Sequence, residues 1–488
     1  MNFICRHVEH SATAALVLTM LAAVVLFAGT VPPAQAQTYT PLYSFGVVDS
    51  TQNGPYGQLA LGRDGNLYGE VNPIRSEIYQ ITPAGLETLL WESPQPNNPQ
   101  DQCVNGLTLG ADGLLYGTCN LWEDNTDNGG VIFKFAGGSP TVLYKFPFCG
   151  YSTYGLGPLT LGTDGNLYGT TTGNNACPGN YTYGTFFRIT PAGSFKILHV
   201  FQGANSNEPG TPTGPLTLGA DGNFYGTSQV GGNPQDYNGG TVYKITPKGK
   251  VTLLYSFSNT GPDKPMGGVT QGADGKWYGT TFYGGTYNYG TIFQLAGKKV
   301  KILHNFNMNA DDAAFPSFPL TLGTDGKFYA PSLTFNMGGF GPESLYNITT
   351  KGAYTDLHNL EPGGCTQGTP DGCLLSSSMV LHPNGTFYGT NAQGGQVGRG
   401  VFYSLGTSLK PYIILQFPRG KVGTSIGIFG MGLIGTTGVS FNGVAANFTV
   451  LSDTYMTATI PTGATKGYVT VTTPAGTLKS AVKLTVPK

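Results

Sequence analysis

Hydrophobic and polar positions alternate along most of this chain in short runs, a pattern that predicts strands joined by tight turns rather than helices. One stretch shows the plan: GPLTLG (214–219), FYGTS (224–228), GTVYKIT (240–246) and VTLLYSF (251–257) read as four successive strands. The first two meet at Asp221-Gly222, where a two-residue type I′ turn with both residues at positive φ is expected. The last two meet at Pro247-Lys248-Gly249, in which proline presets φ and glycine takes the left-handed position. The unit is a β-meander.

The unit recurs. GRDGNLYGE (62–70), GADGLLYGT (110–118), GTDGNLYGT (162–170), GADGNFYGT (219–227), GADGKWYGT (272–280), GTDGKFYAP (323–331) and HPNGTFYGT (382–390) are spaced by 48 to 59 residues from one Asp or Asn to the next. That period suits a four-stranded propeller blade. Fourth strands follow only six of the copies, and the seventh unit stops at GVFYSLG (400–406). The displaced fourth strand is PLYSF (41–45), ahead of the first unit. An N-terminal strand that completes the last blade would remove an open sheet edge. The expectation over 37–406 is therefore a seven-bladed β-propeller closed by its N-terminal strand. After a linker at 407–410, residues 411–488 carry short strands punctuated by Gly and Pro, which fit an immunoglobulin-like sandwich. The fold class is all-β.

The 488-residue chain contains 75 glycines, and only 10% of its residues are charged, for a formal net charge of −1. That balance gives no electrostatic footprint for nucleic acid or anionic lipid. Residues 1–36 read as a secretory signal, with an apolar run at 15–29 behind Arg6 and a small-x-small site at Ala34-Gln35-Ala36. Cleavage before Gln37 is expected, with an uncleaved anchor as the alternative. The mature protein is expected to be secreted or held at the cell surface, monomeric, without cofactor or metal, and not inserted in a membrane.

The DG-x-[LFW]-YGT and GTV-[FY]-KIT-P-x-G pieces resemble the GloVer tandem repeat of exported bacterial proteins over roughly 39–405. VGTSIGIFGMGL (422–433), VSFNGVAANFTVLSDTYMTATIP (439–461) and GYVTVTTPAGT (467–477) resemble an IPT/TIG domain. The first resemblance implies a propeller-like fold and export but no reaction. The second implies an immunoglobulin-like spacer or interaction module.

Most of the residues that could carry chemistry have a structural role to fill instead. Asp164-Gly165-Asn166 lacks the ligand spacing of a calcium loop, and the seventh copy replaces Asp by Asn384, so turn formation is the shared role. His199, His304 and His358 stand where other units carry an aromatic in the fourth strand, and His382 replaces a glycine. None of these positions clusters as a metal site requires. Gly423-Thr424-Ser425-Ile426-Gly427 matches a nucleophile-elbow pattern but enters a strand, with no histidine after it. Tyr68, Tyr116, Tyr168, Tyr225, Tyr278, Tyr329 and Tyr388 are assigned to packing between sheets, the following glycine (Ala330 in the sixth copy) allowing close backbone approach.

Six cysteines remain after signal removal, all at the end of the sheets away from the tight turns. Cys103–Cys119, Cys149–Cys177 and Cys365–Cys373 are the preferred pairs among fifteen possible sets. The same end carries Trp122, Tyr181, Tyr183, Tyr237, Tyr283, Tyr287, Tyr289, Phe335 and Phe340 in long loops, where binding residues usually lie. The leading expectation is a non-catalytic protein that presents these aromatics to an extracellular glycan or surface protein. A polysaccharide-acting propeller enzyme using Glu123, Asp124, Asp127 or Asp236 is the alternative, and a purely structural surface protein is a third.

Overall fold

The computed structural model describes residues 37–46, 54–71, 76–93, 105–119, 128–147, 155–173, 183–203, 206–236, 238–308, 312–332, 335–336, 339–340, 343–360 and 368–487. The expected signal segment lies outside them. Among the described residues helical structure is limited to one 3-10 turn at Pro234–Asp236.

The repeats fold as antiparallel four-stranded sheets. The first sheet runs Pro55–Leu61, Leu67–Val71, Glu77–Ile81 and Glu87–Glu92 in spatial order. Five more follow the same order up to residue 360, the fourth sheet adding the strand Pro209–Pro212 beside Phe224–Gly231. In the seventh sheet Phe387–Gln393 pairs with Val401–Gly406, which pairs in turn with the N-terminal strand Thr38–Ser44. That register runs from Thr38 opposite Gly406 to Ser44 opposite Val401. The inner strands are shorter than their apolar pattern suggests: GPLTLG contributes only Thr217–Leu218. Pro215 has no N–H to donate, and at Gly214 a Cβ would lie 2.4 Å from the backbone nitrogen of Gly268 in the next sheet.

The hairpin at Asp221-Gly222 is not the expected type I′ turn. Gly222 N–H donates to Gly219 O at 2.8 Å and Gly219 N–H donates to Asn223 O at 2.8 Å, which closes a three-residue loop. Only Gly222, at φ 81°, is left-handed. This is a type I turn followed by a glycine bulge. Asp221 is held out of the left-handed region by its own side chain, whose Oδ1 accepts the Asn223 N–H at 3.1 Å and whose Oδ2 accepts the Tyr225 O–H at 2.9 Å. The Pro247-Lys248-Gly249 turn is as expected, with Gly249 at φ 88°.

Consecutive sheets share a core. Tyr168 and Phe186 of the third sheet pack with Phe224 and Tyr243 of the fourth. Tyr225 and Val242 of the fourth pack with Trp277 and Phe293 of the fifth, the Tyr225 and Trp277 rings stacking at 3.8 Å. The succession returns to its start, because Tyr388 and Phe402 of the seventh sheet pack with Leu67 and Tyr79 of the first. Full burial of each such side chain contributes about 1.5–3 kcal/mol, so aromatic contact dominates the joints. In six of the seven copies a glycine follows the tyrosine and makes room for an aromatic from the third strand, Ala330 standing there in the sixth: a Cβ at Gly169 would lie 2.4 Å from the Phe187 ring. This replaces the expected close approach of backbones.

A hydrogen bond runs between sheets beside these contacts. The inner-strand threonines donate to the next sheet's backbone: Thr108 to Leu159 O at 2.6 Å, Thr160 to Leu216 O at 2.8 Å and Thr217 to Val269 O at 2.6 Å. Thr270 reaches Leu320 O at 2.5 Å and Thr321 reaches Met379 O at 2.6 Å. The corresponding residues in the seventh and first sheets, Val380 and Ala60, have no hydroxyl. His382 spans the seventh-to-first joint instead, its Nε2 lying 2.9 Å from Gly65 O, and Arg63 spans the first-to-second joint by donating to Ala111 O at 2.6 Å. The His382 Nδ1 accepts the Asn384 N–H at 3.2 Å, which leaves the proton on Nε2.

Residues beyond 410 form two further four-stranded sheets. One contains Ile414–Leu415, Ser425–Phe429, Tyr455–Thr459 and Phe448–Val450, the other Val444–Ala445, Gly438–Phe441, Val469–Thr473 and Gly476–Lys479. Ile428, Phe441, Met456 and Val471 lie in their common core. The segment expected to be a linker is fastened, Thr407 Oγ1 donating to Gly385 O at 3.2 Å.

Thr270→Val is expected to lower unfolding free energy by about 1 kcal/mol. Gly169→Val should cost more, because the Phe187 ring must move. Urea or thermal unfolding tests both, and the inter-sheet bond is unimportant if the threonine variant matches the parent.

Candidate functional site

In an antiparallel meander the first and third turns share one end of each sheet, and the remaining connections share the other. At the turn end, the repeated aspartate is a clasp. Asp164 Oδ1 accepts the Asn166 N–H at 3.2 Å, and its Oδ2 accepts the Tyr168 O–H at 2.8 Å. The same tyrosine bond forms at Asp64 (2.9 Å), Asp112 (2.7 Å), Asp274 (3.0 Å) and Asp325 (2.9 Å). Burial and the bond to Asp164 hold the Tyr168 phenol well above its ordinary pKa. Asn384 preserves both links by reversing one: its Oδ1 accepts the Thr386 N–H at 2.9 Å while its Nδ2 donates to Tyr388 Oη at 2.9 Å. With these oxygens occupied, the motif is turn chemistry.

The turn end is also covered. Thr454 Oγ1 donates to Arg63 O at 2.6 Å in the first sheet, and the Arg63 guanidinium lies 4.6 Å over the Tyr455 ring. Arg419 donates to Asp221 O in the fourth sheet. Tyr412 donates through its hydroxyl to Leu381 O at 3.0 Å in the seventh. The C-terminal sheets therefore lie across the hairpins of the first, fourth and seventh sheets.

At the loop end, Phe282, Tyr283, Tyr289 and Phe315 form an edge-to-face group, with Phe282 and Tyr283 centroids 4.7 Å apart and Tyr289 and Phe315 5.6 Å apart. Tyr283 remains 44% exposed and Tyr287 54%. Tyr183 is committed elsewhere: its ring packs so closely on Gly203 that a Cβ there would lie 2.2 Å away. Phe335 and Phe340 lie opposite each other in a two-stranded hairpin, with only their backbone described. Trp122, Tyr181 and Tyr237 lie outside the described residues, as do Glu123, Asp124 and Asp127; Asp236 is described through its backbone alone.

The fourth-strand histidines each face a carboxylate of the connection that follows. His199 Nε2 lies 3.3 Å from Glu208, His304 Nε2 3.0 Å from Asp312 and His358 Nε2 3.0 Å from Asp371. Sequence reading missed these pairs, because the acid lies in an irregular loop. It also missed two buried glutamates. Glu70 stands where most units have threonine and makes a similar link, its Oε2 accepting the Gly106 N–H of the next sheet at 3.0 Å, while its Oε1 has no partner. Glu343 Oε2 accepts the Leu375 N–H at 3.1 Å. Burial raises the Glu70 carboxyl to about 8 and the Glu343 carboxyl to about 7. The departure of GRDGNLYGE from the other copies was the available signal for Glu70.

Cys119 and Cys373 each take part in a disulfide. Cys103, Cys149, Cys177 and Cys365 lie outside the described residues. Among the described residues, no group of three or more His, Cys, Asp or Glu side chains is placed to hold a metal ion.

The Gloeobacter/Verrucomicrobia repeat model matches residues 28–233 and 211–449. The chain belongs to this repeat family. The Gloeobacter/Verrucomicrobia repeat match thus extends from the seven sheets into the C-terminal pair. No curated protein matches the chain. Similar solved structures include a putative oxidoreductase (glucose dehydrogenase) from Thermus thermophilus, at 15% identity over 76% of this chain and 100% of that one, with a TM-score of 0.38. A protein of unknown function from Bacteroides thetaiotaomicron matches at 15% identity over 60% of this chain and 72% of that one, with a TM-score of 0.37. The WD40 β-propeller domain of Doa1 matches at 12% identity over 73% of this chain and 94% of that one, with a TM-score of 0.41.

The glutamates set a pH dependence. Their folded pKa values lie above the ordinary 4.5, so the stability they contribute is complete below 4.5 and is lost as pH rises through about 7 for Glu343 and about 8 for Glu70. Thermal unfolding from pH 5 to 9 should show a flatter profile for Glu70→Gln/Glu343→Gln than for the parent. An unchanged slope assigns the dependence to other groups.

Proposed function

We propose that the seven sheets are the blades of a seven-bladed β-propeller closed by the N-terminal strand, and that residues 411–488 are an immunoglobulin-like IPT/TIG domain. The protein is an exported, non-catalytic binding protein that takes a glycan or a surface partner on its loop end. The chain of shared cores returning from the seventh sheet to the first supports the closed propeller. Disulfide-bonded Cys119 and Cys373 support an oxidising compartment outside the cytoplasm. The pairs Cys103–Cys119, Cys149–Cys177 and Cys365–Cys373 remain our assignment.

One observation carries the choice of surface. The chain's own C-terminal sheets occupy the turn end, while the loop end presents the half-exposed rings of Tyr283 and Tyr287. Aromatic faces beside amide side chains suit stacking and hydrogen bonding to sugars. Family membership adds the repeat and assigns no reaction, and Glu123, Asp124 and Asp127, on which a hydrolase reading would depend, lie outside the described residues.

Glycan-array binding of the mature protein tests the proposal. Tyr283→Ala and Tyr287→Ala should each weaken a positive signal by about 2- to 10-fold, the range of an aromatic contact. Tyr183→Ala should instead lower thermal stability, since that ring is packed. A glycan bound equally well by both exposed-tyrosine variants would move the site away from this loop.

A further inference from the structure

The near-neutral net charge hides an uneven distribution. Residues 411–488 contain six Lys or Arg side chains and a single acid, Asp453. Asp453 is already used at one end of the module, where it accepts the Gly432 and Ile434 N–H groups, each at 3.2 Å. Three of the lysines gather elsewhere. Lys479 Nζ lies 3.8 Å over the Tyr468 ring and Lys483 Nζ 5.4 Å from it. Lys466, two residues before that tyrosine, lines with Lys483 a cleft of about 460 Å³. The opposite wall consists of Thr217, Gln271 and the Gly272–Gly275 hairpin of the fourth and fifth sheets.

All three lysines are exposed, and no ion pair joins any of them to a carboxylate among the described residues. The acid closest to hand in the cleft, Asp274, is held by the Tyr278 O–H at 3.0 Å, the Lys276 N–H at 3.1 Å and Lys276 Nζ at 3.4 Å. The clustered positive charge is therefore left uncompensated. The quadrupole of Tyr468 keeps two of the ammonium groups together despite their repulsion.

We infer that this cleft binds an acidic, carboxylate-bearing oligosaccharide through Lys466 and Lys483 of its wall, with Lys479 adding positive charge from beside it over the Tyr468 ring. The volume lies within the usual range for a small-ligand site. Lysine ammoniums supply the point charges that a sugar carboxylate needs. Thr217 Oγ1, its proton given to Val269 O, can still accept from a sugar hydroxyl, and the Gln271 amide has a second N–H beside the one given to Gly275 O. Nucleic acid fits less well. A duplex carries a charge about every 1.7 Å and usually takes six to ten phosphate contacts, whereas three lysines stand here beside a body, residues 37–410, that holds 24 acids against 18 Lys or Arg. The Tyr468 face is also covered by Lys479, so it offers no platform for a base. A polymer with one charge per sugar meets less repulsion. This site is separate from the loop end and does not depend on that reading.

The test uses the mature full chain and fluorescently labelled oligogalacturonate in low salt, with the reduced, neutral oligosaccharide as control. Binding of the acidic form only is expected, weakening steeply as salt is raised. Lys466→Gln/Lys479→Gln/Lys483→Gln should weaken it roughly tenfold or more, and the corresponding triple arginine variant should restore it, which separates charge from loss of fold. Tyr283→Ala and Tyr287→Ala should leave it unchanged. The inference is overturned if oligogalacturonate does not bind, if the glutamine variant binds like the parent, if the tyrosine variants abolish binding, or if duplex DNA binds the same lysines more tightly.

Discussion

The joint between neighbouring sheets is what the rest of this molecule depends on. Each joint sets a tyrosine and its neighbours against aromatic or aliphatic side chains of the next sheet, and most add a threonine hydroxyl donated to the next sheet's carbonyl. Apolar contact supplies most of the energy and tolerates small slides. The hydroxyl, with its narrow range of distance and angle, fixes the height at which one sheet meets the next. Where Val380 removes that hydroxyl between the last sheet and the first, His382 reaches across to Gly65 O, so that joint is also held by a directional bond. It is the joint at which the chain has to meet its own beginning.

Much of this architecture was legible because the repeated motif combines several physical demands. DG followed three residues later by Tyr marks a turn, a clasp and a packing residue at once, so copies could be counted and strands placed around them. The displaced N-terminal strand was legible for the same reason: one fourth strand was missing at one end and spare at the other. What failed was detail governed by side-chain geometry. Asp221 was expected at positive φ because DG favours type I′ turns, but its carboxylate finds two partners that hold it in a right-handed conformation. The threonine relay was written in the repeated LTLG yet could not be read, because periodicity says which face a residue takes and not which carbonyl the neighbour presents.

The site was less legible than the fold for a related reason. Aromatics in long loops were collected as a set, but the structure divides them: Tyr183 is packed on glycines, Tyr289 and Phe315 support each other, and Tyr283 and Tyr287 are presented outward. The buried glutamates and the histidine–carboxylate pairs arise between strand and loop, where no regular spacing announces them. The docking of the C-terminal sheets on the turn end, through backbone carbonyls of Arg63 and Asp221, leaves almost no trace in composition.

The pairing of Thr38–Ser44 with Val401–Gly406 also has a meaning in time. A chain made from its N-terminus can complete the early sheets as they appear, but the first strand must stay unpaired until the last repeat exists. Thr38 waits for Gly406, and that long sequence separation makes closure the slow, high-contact-order event. Until then both Thr38–Ser44 and the edge it will cover lack their partner. The period of greatest exposure to mispairing therefore falls late, when nearly all of the sheets are already built.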